Sequence, residues 1–406
     1  MYVLVLNAGS SSVKYQLFNT ATHDVLAKGL AERIGIDGKL IHKAAGKPDF
    51  ISENSLPTHS QAIKSIVDAL TSKEHGVISS MSEINAIGHR VVHGGQTFTQ
   101  STLVTPEVIK EVENCRELAP LHNGAALMGI QGCLDYMPET PQVLVFDTAF
   151  HQTMPKHAYY YPIPQELFDK YKIRRYGFHG TSHYYVSKLA NEALAKLGKN
   201  PDDTKIVTCH LGNGSSITAV KGGKVYDTSM GLTPLEGIIM GTRSGTIDPA
   251  IVTFIMKKES MTAEQADDFL NKQCGLLGVS GISSDMREVS AARAAGDEKA
   301  MLAIDILCYG IKKYIGAYAA AMGGLDAIVF TAGIGEHNPG NVRENSVAGL
   351  EYMGVKLDMA KNNGVSQSKE PVIDISDNTS GVKIYVIPTN EELVIASDTE
   401  KVVGGK

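Results

Sequence analysis

Three glycine-rich turns each follow an apolar, β-rich run: Asn7-Ala8-Gly9-Ser10-Ser11-Ser12, His210-Leu211-Gly212-Asn213-Gly214-Ser215-Ser216 and Thr331-Ala332-Gly333-Ile334-Gly335-Glu336. Backbone N–H groups unscreened by side chains form anion-binding concavities, and serine hydroxyls add donors. One such turn is an ordinary hairpin connection, whereas three together suit a polyphosphate. None is a Walker loop, because Gly-x-x-x-x-Gly-Lys-Ser/Thr does not occur. Gly212-Asn213-Gly214 and Gly333-Ile334-Gly335 both lack the third glycine of the dinucleotide fingerprint.

Beside these turns stand groups able to handle a transferring phosphoryl group. Lys14 lies in the strand after the first turn, within reach of a phosphate, or is a plain surface lysine. Arg90, in Gly88 to Gly95, and Arg243, in Gly241-Thr242-Arg243-Ser244-Gly245, sit among glycines and could fork a carboxylate or phosphate, or hold a structural ion pair. Asp147 ends the run Val143 to Phe146, a place for a catalytic or metal-linked carboxylate or for a helix cap. His179 and His183 lie four apart, but the glycine between them and the lack of an adjacent glutamate argue against a zinc-protease helix. His179, neutral or protonated, could donate to a phosphoryl oxygen or be a satisfied core histidine. Glu391, in the first turn of a last helix, could hold a metal-bound water or complement the helix dipole.

The elements that must position these groups follow a repeated pattern. Val3 to Leu6 and Val13 to Phe18 read as a hairpin, and Ile206 to His210, Ile217 to Val220 and Val225 to Thr228 repeat strand, Gly/Ser turn, strand. A single recurrence at that separation points to two similar domains rather than a solenoid. Ser60 to Leu70 and Ser182 to Leu197 have helical periodicity, Thr105-Pro106 opens another helix, and Thr389-Asn390-Glu391-Glu392 predicts a capping box with Thr389 as the cap. Val143 to Phe146 and Ala327 to Thr331 are buried-strand runs, so the class is α/β. Tyr159-Tyr160-Tyr161-Pro162 offers a domain boundary within the chain.

A length of 406 residues suits two or three domains, and 43% hydrophobic with 20% charged residues describes an ordinary globular protein. Net charge is -6, so nothing global attracts nucleic acid or an anionic membrane, and an anionic ligand must be held locally. Cys115, Cys133, Cys209, Cys274 and Cys308 are odd in number and scattered, which favours a reducing cytoplasm over a disulfide framework. No apolar run is long enough to span a bilayer.

Val3 to Lys14 and His210 to Ile217 together resemble the two signature segments of the acetate kinase family. His89 to Gly95, Asp147 to His151, Arg175 to Gly180, Gly241 to Pro249, Thr331 to Glu336 and Thr389 to Leu393 follow in family order, so the resemblance covers essentially the whole chain. It implies two duplicated ribonuclease H-like, actin-like ATPase domains with an interdomain active-site cleft: residues 1–150 plus a C-terminal helix 389–406, and residues 151–388. The implied reaction is reversible transfer of the ATP γ-phosphoryl group to acetate, giving ADP and acetyl phosphate, with Mg²⁺ or Mn²⁺.

By the same resemblance Asn7 and Glu391 support the metal. Lys14, His210, Leu211, Gly212, Asn213, Gly214, Asp285, Met286, Arg287, Gly333, Ile334, Gly335, Glu336 and His337 hold the nucleotide, with His337 standing where relatives often carry Asn. Arg90 and Arg243 grip the acetate and the phosphoryl group, His179 stabilises the latter, and Asp147 is the acid/base residue. Val92, Leu121, Phe178 and Pro234 form the methyl pocket, and a homodimer is implied, to which Ile315 to Met322 would contribute. Alternatives are a propionate or butyrate kinase, since one methylene changes discrimination by only ~1–3 kcal/mol, a sugar kinase, or a nucleotide-driven clamp of heat-shock type.

Overall fold

The computed structural model describes residues 1–405, apart from the side chains of Pro120 and Leu121, and its chain divides into two units, Met1–Phe150 with Asn390–Lys406, and His151–Thr389. In the first unit β1 (Tyr2–Gly9) and β2 (Ser12–Asn19) form the expected hairpin. The turn is tighter than the Gly/Ser cluster suggested: Asn7 pairs with Lys14 and Gly9 with Ser12, leaving Ser10 and Ser11 at the bend. Asn7 is therefore a strand residue directly across from Lys14.

A meander continues through β3 (Asp24–Glu32), β4 (Lys39–Ala44) and β5 (Phe50–Ser52). With β6 (Ala86–Val91), β7 (Thr102–Leu103) and β8 (Gln142–Phe146) the sheet order is β5-β4-β3-β2-β1-β6-β8-β7. β6 runs parallel to both β1 and β8. Helix His59–Thr71 buries Ile63, Ile66, Val67 and Leu70 in one core, as its periodicity predicts, and Thr58 caps it.

Against β1, β6 and β8 on another face lies helix Glu391–Val403, seated through Ile395 and Ala396. Gly88 permits that approach, because a Cβ there would stand 2.4 Å from Thr399 Oγ1. The cap of this helix is Asn390, whose Oδ1 accepts the Leu393 N–H at 3.0 Å, one residue after the expected Thr389. Thr389 is committed elsewhere: its hydroxyl donates to Ser182 Oγ and its N–H to Glu336 Oε1.

The second unit repeats the plan. β9 (Lys205–Leu211), β10 (Ser215–Lys221), β11 (Lys224–Thr228), β12 (Ala327–Thr331), β13 (Ile373–Asp374) and β14 (Lys383–Val386) give the order β11-β10-β9-β12-β14-β13. β9 is antiparallel to β10 and parallel to β12, which is parallel to β14, just as β1 relates to β2, β6 and β8. The architecture is the duplicated actin-like ATPase type. Two expectations change at the level of elements. The third glycine turn is a strand-to-helix junction, because helix Ala332–His337 starts immediately after β12. Tyr159-Tyr160-Tyr161 lies inside this unit, with the Arg174 guanidinium 3.6 Å from the Tyr159 ring centre, so it is packed rather than a boundary.

Helix Glu298–Met322 turns Ile315, Tyr318 and Met322 into the core of its own unit, where each is at most 4% exposed. Ile315 to Met322 thus offers no dimer contact through these side chains. Among the described residues no helix is long and apolar enough to cross a membrane.

Candidate active-site residues in each unit

Arg90 extends from β6 and Asp147 follows β8, so the parallel strands deliver both from their carboxyl ends. Arg90 Nε and Nη2 donate to Asp147 Oδ1 at 3.0 Å and Oδ2 at 2.7 Å. Asp147 is 1% exposed, so this charge has little water and relies on the guanidinium. Its field raises the already high pKa of Arg90 further, and Glu391, 3.9 Å from Nη2, adds to the effect. Among the described residues Arg90 Nη1 has no protein partner, which leaves a pair of donors for an anion. A cavity of about 480 Å³ brings Asn7, Lys14, Arg90 and Glu391 together.

The donor set decides what metal could sit there. Among the described residues there is no group of three His, Cys, Asp or Glu able to hold one. Asn7 and Glu391 offer an amide and a carboxylate oxygen on one cavity wall. That fits a hard cation such as Mg²⁺, which keeps several waters and binds through one or two carboxylates plus substrate phosphates.

A second cavity of about 480 Å³ lies within the other unit and is lined by Gly212, Asn213, Asp285, Met286, Arg287, Gly333, Ile334 and His337. Gly241 closes it against the second glycine turn: its N–H donates to Asn213 O at 3.1 Å, and a Cβ would stand 1.9 Å from Asn213 Oδ1. Asp285 caps helix Met286–Ala294 through the Arg287 N–H, and the Arg287 fork holds its carboxyl down to about 2. Leu211 is buried in the core, Gly335 is buried in its helix, and Glu336 Oε1 accepts from the Ala332 and Thr389 amides. These three shape the junction without lining the cavity. Lys14 belongs to the first unit, where it lines the cavity with Asn7, Arg90 and Glu391.

His179 occupies the N-cap of helix Gly180–Lys196 with φ +57, and its ring stacks on His210 with centroids 4.1 Å apart. Arg243 is half-buried; its Nη1 donates to Pro234 O at 2.8 Å, and burial lowers its pKa. Among the described residues it has no carboxylate partner. A Cβ on Gly214 would lie 3.3 Å from Arg243 Nη2 and 3.6 Å from His179 Nε2, so both groups flank that glycine. A partly desolvated guanidinium beside an imidazole, with no acid to neutralise it, is suited to an incoming anion.

Of the expected apolar set, Val92 belongs to the first unit, and Phe178 and Pro234 to the second. The Leu121 side chain lies outside the described residues. Sequence reasoning passed over Ser182, Ser216 and Thr208 and left His183 without a role, although all four bond to the histidine cluster or to one another. Their spacing carried a usable signal: His179, Ser182 and His183 share a helical face, and Thr208 and His210 share a strand face. Arg175, from a family-like motif, is structural: it pairs with Glu236 at 2.7 Å and donates to the Thr228 carbonyl.

The family description "Acetokinase family" matches residues 2–397. An acetate kinase of Caldanaerobacter subterraneus subsp. tengcongensis is 58% identical, with 100% of both chains covered. The crystal structure of Porphyromonas gingivalis acetate kinase is 46% identical with a TM-score of 0.92, covering 99% of each chain. That of a Francisella tularensis propionate kinase is 44% identical with a TM-score of 0.89, also covering 99% of each.

Proposed function

The chain belongs to the acetokinase family, and from that premise we propose that it transfers the γ-phosphoryl group of ATP reversibly to acetate, giving acetyl phosphate and ADP by in-line displacement. The observation that carries the chemistry is Arg243, flanking Gly214 together with His179 and without a carboxylate partner among the described residues. Charge on the three equatorial oxygens of the transferring group is met by Arg243, His179 and Arg90, so positioning and electrostatics supply most of the acceleration.

Acetate is already ionised at neutral pH and needs no general base. Asp147, committed to the Arg90 fork, therefore acts by holding that guanidinium in place. Val92, Leu121, Phe178 and Pro234 receive the methyl group, and the glycine-lined cavity with Asp285 and Arg287 receives the nucleotide. Mg²⁺, or Mn²⁺ in its place, would be held by Asn7 and Glu391 through water and phosphate oxygens and would neutralise phosphate charge. Lys14 adds positive charge on the same wall. A homodimeric state and a cytoplasmic location complete the reading; five free cysteines support a reducing compartment.

Hydroxylamine trapping tests the reaction, because an acyl phosphate yields a hydroxamate and a sugar phosphate does not. Absence of hydroxamate with acetate, ATP and Mg²⁺ would sink the proposal. The likeness to a propionate kinase keeps propionate as the second reading. A kcat/KM for propionate above that for acetate would select it.

A further inference from the structure

Beneath the stacked pair His179 and His210 run two chains of hydroxyl and imidazole groups, and one hydrogen per hydroxyl gives each chain a direction once its first donor is set. In the first, Thr208 Oγ1 is placed to donate to Thr218 O at 3.3 Å, and with its one hydrogen used there it accepts from His183 Nδ1, 2.7 Å away. His183 is fully buried, and burial together with His151 and His210 drives its pKa well below the ordinary value, so it is neutral, and the bond to Thr208 places its one proton on Nδ1. Its bare Nε2 then accepts from Ser216 Oγ at 2.7 Å. Ser216, its hydrogen spent, can only accept from His179 Nδ1 at 2.8 Å. In the second chain Thr389 Oγ1 donates to Ser182 Oγ at 2.8 Å, which frees the Ser182 hydrogen for His210 Nδ1 at 2.7 Å.

We propose that these relays of opposite sense set the protons of the pair: Thr208, His183 and Ser216 keep a proton on His179 Nδ1, while Thr389 and Ser182 keep His210 Nδ1 bare. Neutral His210 consequently carries its proton on Nε2 and donates from there. Neutral His179 has a bare Nε2 and can donate from it only as an imidazolium. Both Nε2 atoms lie by the second glycine turn, 3.7 Å from a Cβ on Gly212 for His210 and 3.6 Å from one on Gly214 for His179. The charged and titratable groups facing His179 within its unit are His183 on its own helix, His210 on β9 and Arg243. Ser216 and Thr208 are positioning residues, since they act through the imidazoles.

That His179 donates to the phosphoryl group rests on the proposed function; its tautomer does not. Nitrogen-15 NMR of the full-length protein, labelled at histidine, reads the tautomer directly above the His179 pKa. The expected spectrum shows His179 protonated at Nδ1 and bare at Nε2, with the reverse for His210. Thr208→Val preserves shape but removes the acceptor of His183 Nδ1, so it should move His179 toward the Nε2-protonated form. The kcat of the parent enzyme should fall about tenfold per pH unit above the His179 pKa, and Thr208→Val should flatten that limb. A neutral parent enzyme with His179 protonated on Nε2 overturns the proposal. The expected tautomers with a kcat indifferent to His179 titration would uphold the relay and remove His179 as phosphoryl donor.

Discussion

The two units share a sheet plan but secure their functional cations in opposite ways. In the first, Arg90 is tied to Asp147 by a bidentate ion pair and neighboured by Glu391, so the charge is largely neutralised before any ligand arrives. In the second, Arg243 is held by a carbonyl and lies close to chains of hydroxyl and imidazole groups that hold no carboxylate. A paired guanidinium gives fixed geometry at little net field; an unpaired one gives field, at the expense of desolvation. One fold thus supports an orienting half and an attracting half.

Alanine at each arginine separates the two strategies. Arg90→Ala should destabilise the protein by about 3–5 kcal/mol, because the buried Asp147 carboxylate loses its bidentate guanidinium. Arg243→Ala should leave the denaturation midpoint almost unchanged while lowering kcat about 10²–10³-fold. Equal stability losses in urea titrations would erase the contrast.

Both units also contain a buried neutral histidine, and His89 exposes the consequence in the first. Burial pushes its pKa down to about 4, with a hydrogen bond to Gln142 opposing only in part. The unfolded chain binds this proton from pH 6.5 downward and the folded chain only near 4, so stability is complete above 6.5 and falls by about 3 kcal/mol as pH drops to 4. The same slope in a His89→Gln variant would show that another group is responsible.

Smaller effects belong to the helix starts. Asn390→Ala removes the cap that aims Glu391 and should cost about 1 kcal/mol, with a larger rise in the Mg²⁺ concentration needed for half activity than in KM for acetate. Ala332 adopts φ +63 at the β12 junction. Since αL costs an ordinary residue about 1–2 kcal/mol and glycine loses part of that through unfolded-chain entropy, Ala332→Gly should stabilise the second unit by less than about 1 kcal/mol. Calorimetry showing a destabilised variant would mean that the methyl group packs usefully.

Periodicity and turn chemistry located the hairpins, the helix His59–Thr71 and the parallel strands ending at Phe146 and Thr331, because those elements satisfy local and tertiary demands together. The errors arose where tertiary partners intervened. Thr389 has the right type and spacing for a cap, yet Ser182 and Glu336 claim it from far along the chain. Ile315 to Met322 reads equally as interface or core until the sheet beneath it is known. The relays were illegible for a similar reason: Ser216 faces His179 only through the pairing of β9 with β10.

The return of helix Glu391–Val403 to the strands nearest the amino terminus has a bearing on biosynthesis. During translation the sheet carrying Asn7, Lys14 and Arg90 emerges first, but its covering helix emerges after the whole second unit. The second unit can complete its core on the ribosome, as domains generally do. The first waits with Val3, Val5 and Val145 uncovered until Ile395 and Ala396 arrive. A chain interrupted anywhere before Glu391 therefore carries an exposed apolar sheet face, a mark by which quality control could tell it from finished enzyme.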